Sequence, residues 1–436
     1  MDLGVLAAIV AVCLLFVFLM TGVPIAFSLG TAGVIGIFLV AGGTSAWVFL
    51  SKAPFAYVAS WVFIIVPMFI LMGNLAFSAG IGKDAYSIGY KWLGRVPGGL
   101  ALATIAGCAG FAATCGSSVA TAATVGKVAI PEMRRYKYDL KLAFGSVGAG
   151  GTFGVMIPPS GILVIYGILA EQSIGRLLMA GLLPGILSAI LYFIVILVWV
   201  KLKPNIAPKP DISFTWKERL ISLKGATGVI VLFLIVMGGI YTGFFTPTEA
   251  SAVGAVAAFI ILLIRSKRHI PDIRGAFGDG ARTTSMIFTI MIGGGIFGAL
   301  VALSQIPQSL SNALITLNLP PIALLILILI PYVPLGMLLD PVSALVLTIP
   351  IILPFVQAAG FDGIWFGILV TKLIEVSMVT PPVGMNLFIL KGLWPEIGID
   401  TVIKGCLPFL VMDFITLGIL IAFPSIALFL PNMMMG

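Results

Sequence analysis

Residues 148–161 read GAGGTFGVMIPPSG, and residues 379–384 read VTPPVG. A proline has no amide hydrogen and clashes with the carbonyl one turn back, so two in succession break a helix. Gly148, Gly150, Gly151 and Gly154 let a second backbone approach closely. Carbonyls freed within lipid cost several kcal/mol each unless a hairpin, water or a cation satisfies them. Hydroxyl oxygens stand nearby: Thr114, Ser117, Ser118 and Ser160 on one side, Ser343 and Thr380 on the other. Hard oxygens with little formal charge suit a monovalent ion such as sodium better than a transition metal. Helices restarting after the breaks would turn positive dipole ends towards a carboxylate. A single intramembrane proline more often just kinks its helix. Two matched double prolines, each beside a second interrupted segment, favour an ion and substrate site.

The elements that would position these groups are apolar. Of 436 residues 60% are hydrophobic and 9% charged, with a mean hydropathy of +1.19. Soluble domains carry about a quarter charged residues, so the chain reads as an all-α polytopic membrane protein. Residues 3–20 lack a basic leader and a small-residue cleavage site, which predicts a retained helix and not a signal peptide. The net charge of +8 lies in short loops, a pattern of membrane orientation and not of nucleic-acid binding. Cys13, Cys108, Cys115 and Cys406 have no metal-ligand spacing, and His269 is the sole histidine. A conventional zinc site or Ser-His-Asp triad is therefore excluded, and no catalytic residue or redox or transition-metal cofactor is assigned. An intramembrane aspartyl protease would need paired aspartates, and the nearest motif, GFDG at residues 360–363, lies at a span end.

Prolines expose an internal repeat at a fixed spacing of 223 residues (247 − 24): Pro24/Pro247, Pro97/Pro320, Pro131/Pro354, Pro158/Pro381 and Pro159/Pro382. Asp139/Asp362 and Gly161/Gly384 keep the same register. Proline marks backbone geometry, so the two halves share a structure. The first repeat is assigned to residues 1–200, a basic cytoplasmic linker to 201–224, and the second repeat to 225–436. Each holds a hairpin (97–133; 320–357) and an unwound helix (140–170; 363–393). Hairpin arms of about 16 residues fall short of the roughly 20 that a crossing needs, which predicts re-entrant hairpins. With five crossings per half and the N-terminus outside, loops predicted inside carry 20 Lys and Arg (3 + 4 + 6 + 5 + 2), and only Lys52 and Arg176 fall outside. An odd number of crossings inverts the second half, giving an inverted-topology repeat of the kind found in secondary transporters.

Intramembrane charges divide by role. Thr246, Pro247 and Glu249 form a capping box. Asp340, at the register of Ser117, either caps the second hairpin arm or also contacts an ion or substrate. Lys372 and Glu375 neutralise each other on one helix face, Lys127 snorkels, and Asp413 has no sequence-level explanation.

The stretch from Gly148 to Leu187, together with CGSSVATAATVGKVAIPEM and TPPVGMNLF, resembles the large membrane subunit of tripartite ATP-independent periplasmic (TRAP) transporters. The resemblance spans essentially the whole chain. It implies a sodium-coupled elevator importing organic acids across the bacterial cytoplasmic membrane, with a periplasmic N-terminus. Substrate would arrive on a periplasmic binding protein, and a small four-helix membrane subunit would pack on the scaffold as a separate chain. Two sodium sites are implied, one on Thr114, Ser117, Pro158 and Gly161 and one on Gly336, Asp340, Thr380 and Gly384. Substrate contacts are assigned to Ser118, Ser160, Asp340 and Asn386. The substrate itself stays open between dicarboxylate, keto acid, sugar acid and sulfonate. Competing functions, in order, are a two-hairpin anion symporter needing no binding protein, an intramembrane enzyme and a channel.

Overall fold

A computed structural model describes residues 3–209, 214–265, 273–306 and 320–434 of the chain, and every regular element among them is helical. Helix starts follow local capping chemistry. Asp139 accepts from Lys141 N at 2.7 Å to cap Leu140–Gly151. Asp362, 223 residues later (362 − 139), accepts from Ile364 N and Trp365 N at 2.8 Å to cap Gly363–Ser377. Ser117 and Asp340 cap Ser118–Arg135 and Pro341–Ala358 in the same register. The capping box is present: Glu249 Oε2 accepts from Thr246 N at 2.8 Å, and Thr246 Oγ1 accepts from Glu249 N at 3.3 Å.

Nine helices among the described residues are long and apolar enough to cross a membrane, or ten if Leu140–Met156 and Gly161–Leu169 form one bent span. Two boundaries differ from the sequence expectation. Pro321–Leu338 and Pro341–Ala358, the arms of the second hairpin, each reach 18 residues and are among the nine. They exceed the expected 16 because the helix resumes after Ile330 and Pro331 and runs on to Leu338, so length alone does not mark them as re-entrant. The helical stretch Ile25–Val58 is two helices joined at Gly42, whose backbone is not helical (φ 80°, ψ 173°). The basic segment 201–224 is partly helical, and its helix Trp216–Ser222 runs into the apolar stretch that ends at Tyr241.

Helices cross where side chains vanish. Ile25–Val58 packs along Ile273–Leu303, and Ile65–Ser78 along Pro247–Arg265. A Cβ on Gly33 would stand 2.9 Å from Phe297 N, and one on Gly293 would collide with the Ala26 carbonyl. Leu140–Gly151 and Ile399–Ala422 meet in the same way, with Gly405 against the Lys141 carbonyl and Gly145 against the Gly405 carbonyl. Backbone against backbone leaves nothing flexible to yield. Gly405→Val is therefore expected to cost about 1–3 kcal/mol or more, read as a lowered Tm of the purified protein, whereas Gly418→Val, in the same helix with open space around its Cβ, leaves Tm near the parent value.

Candidate ion and substrate site

The first break lies at residues 157–160. Leu140–Gly151 and Phe153–Met156 stop at Ile157, and Ser160 caps Gly161–Leu169 by accepting from Leu163 N at 3.4 Å. The second lies between Gly363–Ser377 and Met385–Leu393, closed by Asn386 N donating to Met378 O at 3.1 Å. Both Pro-Pro bonds are cis. The breaks differ in surroundings. Residues 157–160 are buried throughout, but in the second break Pro382 is exposed and Val383 is 37% exposed.

What covers the first break is the first hairpin tip. Gly116 takes a left-handed conformation (φ 61°), and a Cβ there would collide with the Pro159 carbonyl oxygen. A Cβ on Gly154 would lie 2.6 Å from Ser117 O, and one on Gly73 would strike the Cys115 carbonyl. The tip is thus wedged between the first broken helix and Ile65–Ser78 by three glycines, each at a backbone contact. At the second hairpin Gly336 sits against the Ser377 hydroxyl instead, and residues 336–340 border a cavity of ≈ 400 Å³ with Val383, Met385 and Phe388.

A second cavity, of ≈ 340 Å³, lies between both hairpin tips, both broken helices and the pair Ile65–Ser78 and Ile273–Leu303. Four helix N-termini reach it, at Ser118, Gly161, Pro341 and Met385. Each brings the partial positive charge of a helix start, a setting for an anion, although side-chain caps already take part of the first-turn amides and Asp340 takes those of Val342 and Ser343. Asp340 lines both cavities and is the one carboxylate in the wall of this one. Its Oδ1 accepts from Val342 N and Ser343 N at 3.1 Å, and Oδ2 accepts from the Ser343 hydroxyl.

The sequence-assigned residues separate into two sets. Ser117, Ser118, Gly161 and Asp340 line the main cavity, and Gly336 lines the other. Thr114, Pro158, Ser160, Thr380, Gly384 and Asn386 line neither. Thr114 donates to Phe111 O at 2.9 Å, Thr380 to Val376 O at 2.6 Å, and Ser160 to the Val155 carbonyl. A hydroxyl that has given its hydrogen to a helix carbonyl keeps lone pairs for a cation. Asn386 is buried and donates to Gly148 O and Ser118 Oγ, both at 3.0 Å, tying the second broken helix to the first and to its hairpin. Two polar residues of the wall were missed, Asn74 and Thr283, from the facing pair of helices. Their signal was a polar side chain in a run otherwise apolar, which is too common to single them out. No group of three or more His, Cys, Asp or Glu suited to a metal occurs among the described residues.

Behind the breaks lies a charge cluster that sequence resolved only in part. Lys372 Nζ is 3.0 Å from Glu375 Oε2, the expected pair, but 2.6 Å from Asp413 Oδ1, 41 residues away. All three side chains are buried, so Asp413 is half of an interhelical ion pair.

The fold matches the crystal structure of the YdaH transporter of Alcanivorax borkumensis with a TM-score of 0.62 at 13% identity, over 95% of this chain and 98% of that one. It is therefore an all-helical, multi-pass membrane fold of a kind that a known transporter uses. The family model for the tripartite ATP-independent periplasmic transporter, DctM component, matches residues 12–426, and the chain belongs to that family. It is 31% identical to the C4-dicarboxylate TRAP transporter large permease protein DctM of Vibrio cholerae over 98% of each chain. It is 34% identical to the isethionate TRAP transporter permease protein DctMQ of Oleidesulfovibrio alaskensis, over 94% of this chain and 64% of that one. These relatives are permeases, and at the level of the family the chain is a transporter subunit and not an enzyme.

Proposed function

We propose that this chain is the large membrane subunit of a sodium-coupled importer of small organic anions. The observation that carries the reading is the ≈ 340 Å³ cavity where four helix N-termini and the carboxylate of Asp340 converge. Amides at the helix ends suit a carboxylate or sulfonate, the acid groups of the substrates named for the two relatives. Sodium would neutralise Asp340 and let the anion settle beside it. One ion would take oxygens of Thr114, Ser117, Pro158 and Gly161, the other those of Gly336, Asp340, Thr380 and Gly384. Substrate would touch Ser118 and Ser160, with Asn386 holding Ser118 in place.

An inverted repeat is supported by exchanged packing: Ile25–Val58 packs on Ile273–Leu303, and Ile65–Ser78 on Pro247–Arg265, so that each helix meets the 223-residue counterpart of the other. In an elevator cycle the hairpins and broken helices move as a body past the wall bearing Asn74 and Thr283. A periplasmic binding protein would deliver the substrate, and a small four-helix subunit would brace the scaffold in the bacterial inner membrane, with the N-terminus periplasmic. The fused name DctMQ of one relative fits a system of more than one membrane part.

Uptake of labelled dicarboxylates and sulfonates into proteoliposomes holding both membrane subunits, with the cognate binding protein outside, tests this. Uptake is expected only with an inward sodium gradient. Equal uptake without sodium would refute the coupling, and equal uptake without the soluble protein would favour a symporter that needs no binding protein. Ser117→Ala removes a cap worth about 1 kcal/mol, so the protein stays folded, and the sodium concentration for half-maximal uptake is expected to rise.

A further inference from the structure

The buried cluster around Lys372 contains more carboxylate than cation. Lys372 Nζ donates to Ser188 Oγ at 3.0 Å, Glu375 Oε2 at 3.0 Å and Asp413 Oδ1 at 2.6 Å, which uses all three of its hydrogens. Tyr192 donates to the same Asp413 Oδ1 at 2.6 Å, with its ring 6.0 Å from Nζ. Cys406, about two turns before Asp413 on the same face of its helix, is also buried. Lys372, Glu375 and Asp413 are wholly buried, so one positive charge faces two acids in an apolar interior. An uncompensated charge in such a place costs several kcal/mol, and one proton on the cluster removes it.

Hydrogen counting places that proton. Thr152 Oγ1 lies 2.6 Å from the Ala149 carbonyl oxygen and 2.7 Å from Glu375 Oε1. Two oxygen–oxygen contacts this short need two hydrogens between them. Threonine supplies one, and a carbonyl supplies none. The other must come from Glu375. Asp413 Oδ1, by contrast, receives both Lys372 and Tyr192 at 2.6 Å, the pattern of an ionised acceptor. Sodium is a poor alternative occupant. The ammonium of Lys372 already sits between the acids, and the cluster presents one free oxygen, Asp413 Oδ2.

We infer that Glu375 is a proton-binding site: it carries a proton at neutral pH and donates it to Thr152, pinning one broken helix to the other. The two residues are 223 apart, the period of the repeat, so the bond joins equivalent points of the two halves. Each stands six residues before the first proline of its pair, so the proton braces the arms from which both breaks open. Losing it would place two like charges on one lysine and leave the single Thr152 hydrogen to serve both Glu375 and the Ala149 carbonyl, and uptake would fall on the alkaline side.

Infrared difference spectroscopy of the full-length chain in lipid reads this directly. The carbonyl stretch of a protonated carboxylic acid is expected at neutral pH, absent in Glu375→Gln and shifted in Thr152→Val, which keeps the side-chain shape but removes the acceptor. Glu375→Gln should still transport, because its amide can donate to Thr152 and its oxygen can accept from Lys372, and it should lose the alkaline decline. No acid band in the parent protein, or a band that Thr152→Val leaves unmoved, would overturn the assignment, the latter by placing the proton elsewhere, as on Asp413. An alkaline decline unchanged in Glu375→Gln would also overturn it.

Discussion

Replacing Asp340 by asparagine is expected to abolish sodium-driven uptake at ordinary sodium concentrations while leaving Tm unchanged. Asparagine caps a helix as well as aspartate does, so it can accept from Val342 N and Ser343 N in the same geometry. What it lacks is charge. Hydrogen bonds and ion contacts to a charged group are worth about 1.5–3 kcal/mol, and each 1.4 kcal/mol is tenfold in affinity. The sodium concentration for half-maximal uptake should therefore rise by about tenfold to a hundredfold. Asp340→Ala should show the same transport loss with a further cost of about 1 kcal/mol from the lost cap. If Asp340→Asn transports with an unaltered sodium dependence, the residue is a helix cap and nothing more. Isothermal sodium titration followed by uptake, on the same preparation, separates these outcomes.

The second large effect is expected at Gly116. Its left-handed backbone (φ 61°) costs a residue with a Cβ about 1–2 kcal/mol. In addition that Cβ would overlap the Pro159 carbonyl, and neither partner is a flexible side chain. Gly116→Val should thus push the hairpin tip off the first break, opening the wall that Gly116 and Pro159 share. Uptake is expected to vanish, and protease cleavage near the tip to appear. Two controls isolate the contact. Gly360 has a similar φ of 75° with open space around it, so Gly360→Ala carries the backbone cost alone. Gly418→Ala, which lines neither cavity, carries neither cost, since nothing lies within 4 Å of its Cβ position and its φ is ordinary. Equal loss of uptake in Gly116→Val and Gly360→Ala would show that the tip contact is irrelevant.

Much of the site was legible because its causes are local. The capping box of Thr246 and Glu249, the caps at Asp139, Asp362, Ser117 and Asp340, and both helix breaks follow from residues within one turn of each other. Failures came where local signals ran out. Asn74 and Thr283 reach the cavity only through the way two distant helices lean on it. Lys372 was paired with its neighbour Glu375, its only visible partner, although its shorter contact is Asp413 on another helix.

By itself the sequence determined an apolar, helical, twice-repeated chain with a broken helix in each half, since hydropathy, proline and capping side chains act on their own segments. Its symmetry made the two breaks look equivalent. Tertiary packing made them different, burying residues 157–160 under the Gly116 tip and leaving Pro382 exposed. It also chose which oxygens face a common cavity and which are spent on helix carbonyls. Packing and hydrogen-bond sharing between segments hundreds of residues apart depend on relative position in space, and no local propensity encodes that.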